Sequence, residues 1–128
     1  MSDPTMSKGN PVKSYRDLQV WQRGMALVEQ VYTLTESFPA SEKYELTSQL
    51  RRAVVSVPSN IAEGWGHSSQ KQYTHFLELA RSSLFEVETQ IRIAQRLGYV
   101  DADERDQLLS GTDAESKMLL SLMRSLRS

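Results

Sequence analysis

The chain has 128 residues, no cysteine, and 15 Lys and Arg against 16 Asp and Glu, for a formal net charge of −1. That length suits one domain able to bury a core without disulfides or a structural metal. The absent thiols exclude cysteine nucleophiles, zinc–cysteine sites and disulfides, and the balanced charge excludes a global positive field that would attract nucleic acid or a membrane.

Residues 1–13, with Pro4, Gly9, Pro11 and small polar neighbours, read as a disordered tail, and residues 14–128 as a single domain. The N-terminal stretch lacks the apolar core of a signal peptide. No run of about 18 consecutive apolar residues follows, so the expected setting is the cytoplasm, with no membrane partner. Four segments then show helical periodicity. The first is expected from between Ser14 and Asp17 to about Ser37, where Phe38-Pro39 stops it. The second starts at Ser41 as an N-cap and runs to about Glu63, ending at Gly64. Ser69 and Gln72 open the third in capping-box spacing, and Gly98 follows its last residue, Leu97. Asp101 and Glu104 open the fourth in a related arrangement, and it continues to about Leu126. Short connections between long helices favour antiparallel neighbours. The predicted fold class is therefore all-α: an antiparallel up-down-up-down four-helix bundle.

The second helix has one clear inward stripe, Leu46, Leu50, Ala53, Val54, Val57 and Ile61. Its remaining circumference divides into a polar ridge of Glu45, Gln49, Arg52, Ser56, Asn60 and Glu63, and a sector of Tyr44, Arg51, Val55, Pro58 and Ala62 that is too apolar for a solvent face. The first helix is equally double-sided. Leu18, Trp21, Met25, Val28 and Tyr32 make one stripe, and Val20, Gly24, Leu27, Val31 and Leu34 make another beside it, expected here as the surplus row. Apolar surface beyond what one core needs points to a second copy of the same chain, with Gly24 permitting close approach. Tyr44, Arg51, Arg52, Val55, Asn60 and Glu63 are thus the candidate oligomer interface or polar network.

Pro58 removes an N–H and clashes with the carbonyl of Val54, an interruption worth about 3 kcal/mol in an ordinary helix interior. Ser56, Ser59 and Asn60 lie beside it and are expected to bond the freed backbone. Arg52 shares a ridge with two carboxylates, and its planar fork suits a carboxylate of this helix or of a neighbour.

Catalytic and metal-binding patterns are lacking. The two histidines, His67 and His75, have no Glu three residues before them, and HExxH, GxSxG, Walker and dinucleotide patterns do not occur. No catalytic, cofactor-binding or metal-ligating residue is assigned, and no cofactor is expected. The stretch GWGHSSQKQYTH sets Trp65, His67, Lys71 and Tyr73 close together, and they are the candidate partner surface, mixing aromatic planes with a cation.

In order and spacing, LQVWQ at 18–22, YTLTESFP at 32–39, QLRRAVVSVPSNIAEG at 49–64, FLELARSSLFE at 76–86 and LGYV at 97–100 resemble the four-helix-bundle family encoded in intervening sequences of bacterial 23S ribosomal RNA genes. Its relatives include the accessory variability proteins of diversity-generating retroelements. The resemblance covers about residues 15–126. It implies an antiparallel bundle, a homopentamer without established enzymatic activity, and, by way of the retroelement relatives, RNA or a protein as a partner. The chain departs from the family pattern at Ser82-Ser83, where Gly-Ser is usual, and at His67, where arginine is usual.

Overall fold

The computed structural model describes residues 12–127; most of the tail expected over residues 1–13 lies outside them. The chain enters through a 3-10 turn, Tyr15–Asp17, rather than directly through a long helix. Ser14 Oγ accepts from Arg16 N at 3.1 Å, and Asp17 Oδ2 accepts from Lys13 N and Ser14 N. This local box satisfies the turn's own donors, and Leu18 then goes extended before α1, Gln19–Thr35, begins.

After α1, Thr35 Oγ1 donates back to Val31 O at 2.8 Å, and Phe38 is buried against Tyr99 at the other connection of the same end. Ser41 caps nothing. It sits in a second 3-10 turn, Ala40–Glu42, and α2 starts only at Leu46, running to Trp65. Glu42 does what the expected cap was assigned: its carboxylate accepts from Leu46 N at 3.3 Å and from the Tyr99 hydroxyl at 2.8 Å. The later start of α2 is thus capped by Glu42, four residues ahead of Leu46, a carboxylate that Tyr99 holds from the other connection.

The other boundaries follow their local signals. Ser69 Oγ accepts from Gln72 N at 3.1 Å at the head of α3, Gln70–Arg96. At its tail Tyr99 N donates to Ala94 O and Gly98 N to Gln95 O, the paired bonds of a Schellman ending. Gly98 has φ +80°, left-handed backbone that a side chain disfavours. Gly98→Ala should therefore lower stability by about 1 kcal/mol, read as a lower urea midpoint at unchanged slope. The head of α4, Ala102–Arg127, carries a reciprocal box in which Glu104 N bonds Asp101 Oδ1 at 2.8 Å and Asp101 N bonds Glu104 Oε1 at 2.9 Å.

Cross-helix pairs fix the arrangement. Gly24 meets Pro58 while Thr35 meets Arg51, so α1 and α2 run oppositely. Ser56 bonds Ser83 while Gly64 lies on Tyr73 and Phe76, reversing α3 against α2. Arg81 reaches Ser116, Glu88 reaches Thr112 and Gln95 reaches Arg105, reversing α4 against α3. Gly24 beside Glu115 and Leu27 beside Gly111 close α4 onto α1. The result is an up-down-up-down four-helix bundle in which each helix touches its sequence neighbours and α1 also touches α4. Its centre is mostly aliphatic, with Val31, Leu50, Val54, Val57, Ile61, Leu77, Leu84, Ile91, Leu119 and Leu122 all fully buried. Among the described residues, no helix is long and apolar enough to cross a membrane.

Two sequence expectations change sides here. The α1 row Val20, Gly24, Leu27 and Val31, expected as surplus surface, is the core face, whereas Trp21, Met25, Val28 and Tyr32 form the outer stripe. The reason is Gly24. Pro58 Cβ and Cδ lie only 3.4 Å from where its side chain would begin, so the glycine's close approach is used within the chain and turns its row inward. Pro58 is consequently buried in the core, not part of an outer sector.

Candidate interaction surface

Turning the Val20 row inward leaves the other α1 stripe along the seam with α2. Met25 is 39% exposed, Tyr32 40% and Val55 of α2 38%; Trp21 and Val28 are partly buried against the core. The antiparallel register sets Val55 level with Val28, so these side chains follow one another along a single strip. At the strip's lower end Arg51 is fixed in place. Its Nε donates to Thr35 Oγ1 at 2.8 Å, and its guanidinium lies 4.5 Å from the centre of the Tyr32 ring. A guanidinium so stacked and bonded clamps α1 to α2 while leaving one edge open. Tyr44 stands just beyond, 82% exposed. At the upper end Tyr15 meets Trp21 edge to face, with centroids 5.4 Å apart.

Beside the strip runs the polar ridge of α2. The three residues expected to repair the Pro58 break all bond backbone carbonyls next to it: Ser56 Oγ to Ala53 O, Ser59 Oγ to Val55 O and Asn60 Nδ2 to Ser56 O, each within 2.8 Å. None of them reaches the Val54 carbonyl that Pro58 leaves open, yet the helix continues through the proline. Ser56 also bonds Ser83, which is buried, and the two hydroxyls bridge α2 and α3, whereas Ser82 beside it is exposed. Gln49, Arg52, Ser56, Ser83, Glu86 and Gln90 line an open groove there. Arg52 and Glu63 are exposed and make no hydrogen bond or ion pair with any described residue. The internal ion pair that the sequence allowed for Arg52 is therefore not formed: the carboxylates of its own ridge, Glu45 and Glu63, lie far along the helix, and Glu86 of α3, which lines the same groove, makes no ion pair with it. Of the two adjacent arginines it is Arg51 that ties α2 to α1.

At the turn between α2 and α3 the candidate partner residues separate. His67 is exposed and stacks on Phe76, with centroids 4.9 Å apart and planes 16° from parallel, and Lys71 is exposed on the first turn of α3. Trp65 is half-buried and meets Tyr73 edge to face at 6.1 Å. Tyr73 itself belongs to the core: it is buried, its hydroxyl has no partner among the described residues, and burial pushes that hydroxyl up to about 12. The spacing Tyr73, Leu77, Ala80, Leu84, Val87, Ile91 already marks it as an inward position.

Sequence reading also passed over Glu115, which is fully buried in α4 with neither carboxylate oxygen bonded. The same rule places it: Leu108, Thr112, Glu115, Leu119 and Leu122 are spaced four, three, four and three, the inward seam of α4. Among the described residues no group of three or more His, Asp or Glu is arranged to hold a metal ion.

These features define an all-α four-helix bundle with a partly exposed apolar strip along the α1–α2 seam. The chain belongs to the 23S rRNA-intervening sequence protein family, whose sequence profile matches residues 16–121. Among solved structures it is similar to a protein of unknown function from the S23 ribosomal protein family of Bacteroides thetaiotaomicron, with a TM-score of 0.76 and 18% identity over 82% of this chain and 95% of that one. At that identity the likeness speaks for the fold. No curated protein matches the chain.

Proposed function

We propose that this chain is a non-enzymatic, homo-oligomeric bundle of the cytoplasm, acting as a binding or scaffold module, with the outward side of α2 as the joint between copies. The observation that carries this reading is the set of Trp21, Met25, Val28, Tyr32 and Val55, partly open to solvent in one subunit and placed along the α1–α2 seam by the antiparallel register. An apolar strip rimmed by polar groups is the ordinary anatomy of a subunit joint. Arg52 and Glu63 support it. They lie on one ridge but about 16 Å apart along the helix axis, too far to satisfy each other, so each suits an opposite charge on a neighbouring copy. A ring of five is the assembly implied by the family resemblance. The non-enzymatic part rests on the lack of any nucleophile, base and acid in recognisable spacing in the sequence.

Light scattering at micromolar concentration should find one species several times the 14.6 kDa subunit mass; a monodisperse monomer would end this reading. A second reading, binding of structured RNA, is favoured by the His67–Phe76 stack and the exposed Lys71 at the same end of α3 and opposed by the net charge of −1. It requires an affinity that falls steeply with salt, and gel shifts showing no complex at low salt would remove it.

A further inference from the structure

Three features that each weaken a helical bundle meet at one point inside this one. Glu115 of α4 is fully buried with no partner for either oxygen. Its Oε2 lies 3.2 Å from where a side chain would begin at Gly24 of α1, and Pro58 of α2 closes the same point at 3.4 Å. Pro58 donates no N–H, so α2 lacks one rung of its ladder at this level, and Gly24 contributes no side-chain packing from α1. The acid therefore presses where two of its neighbouring helices are least braced.

An isolated ionised carboxylate in such a place is so poorly solvated that the group keeps its proton. Burial pushes the Glu115 carboxyl up to about 8, against the downward pull of Arg23 on α1. The neighbouring charges are otherwise engaged. On α3, Arg81 donates to Ser116 and Glu88 accepts from Thr112, the residues beside Glu115 on its inward seam. On α4, Asp113 and Lys117 pair with each other on the outside. Residues 53–62 of α2 include no titratable side chain.

We propose that Glu115, Gly24 and Pro58 form a proton-operated latch: the junction of α1, α2 and α4 closes around the uncharged carboxyl and loosens when that proton leaves. The direction follows from linkage. The unfolded chain ionises this group near 4.5 and the folded chain holds the proton to about 8, so the latch's contribution is complete below about 4.5 and is lost as pH rises through about 8. Across that window the folding constant falls by up to about tenfold per pH unit from this one group. Glu115→Gln keeps the shape and carries no dissociable proton, which removes the dependence.

The test is a carbon-13 titration of the glutamate carboxyls in the full chain, paired with amide exchange at pH 6.5 and 9 corrected for intrinsic rates. One carboxyl resonance, missing in Glu115→Gln, should titrate at least two pH units above the others. Amides of α1 around Gly24 and of α2 around Pro58 should exchange at least tenfold faster at pH 9 in the wild type and equally at both pH values in Glu115→Gln. Glu115 titrating with the other glutamates would overturn the latch, and so would a raised titration unaccompanied by any difference in exchange between the two proteins.

Discussion

Gly64→Val should lower the stability of the bundle by about 4 kcal/mol, a fall of roughly 12–20 °C in Tm for a chain of this size. A Cβ at this position would lie 2.8 Å from Phe76 Cβ, 3.0 Å from Tyr73 Cδ1 and 3.3 Å from the Tyr73 carbonyl oxygen. Two of those three atoms are backbone or directly attached to it, so the crowding cannot be relieved by swinging a flexible side-chain end. Only separation of α2 from α3 removes it, and that opens the contact between these two helices. The gain in helix propensity over glycine, a few tenths of a kcal/mol for valine, does not compensate. Gly66→Ala supplies the contrast. There the nearest atoms are the Glu63 and Ala62 carbonyl oxygens at 3.4 and 3.9 Å, and the melting temperature should barely move. Equal Tm values for Gly64→Val and the wild type would contradict the packing described for this helix pair.

The second large effect concerns assembly. Met25→Glu combined with Val55→Glu should convert the oligomer to monomers while the helical circular dichroism and the unfolding slope stay near those of the wild type. Both residues are already more than a third exposed in the single subunit, 39% and 38%, so a carboxylate at either is hydrated there at little cost. In a closed joint the same carboxylates would be dry and unpaired, a penalty of several kcal/mol per copy. Sedimentation or light scattering reads the result directly. An unchanged native mass with both substitutions in place would show that copies do not meet along this seam, whatever their number.

Much of the fold was legible because its signals are local. The Ser69 cap, the Gly98 stop and the Asp101–Glu104 box each use residues within a few positions of one another, and each appears as expected. The inward stripe of α2 was equally plain, since Leu50, Val54, Val57 and Ile61 stand opposite a polar ridge. What local pattern could not decide was α1, where two apolar stripes lie side by side with nearly equal claims. The choice is made by Gly24 fitting against Pro58, a pairing between distant positions that periodicity does not contain. The start of α2 was misplaced for a similar reason, because Glu42 is held by Tyr99 from the far connection. Gly64 read as a helix stop because glycine so often is one. In the structure it lies inside the helix and is there for want of space. Tyr73 and Glu115 differ from these, since the heptad spacing of α3 and α4 already marks both positions as inward; Tyr73 reads as surface because it shares a short stretch with Trp65, His67 and Lys71, and Glu115 carries no motif that singles it out.

Four antiparallel helices return the chain to the side from which it set out. Val12 and Arg127 therefore share a pole with the turn that bears His67 and Lys71, while the Phe38, Tyr99 and Glu42 contacts knot the opposite pole. A bulky handle attached near either end of the described chain would crowd the first pole and spare the second. Bait for capturing partners is better tethered through exposed Lys43, at the knotted pole, which leaves the histidine-bearing turn unobstructed.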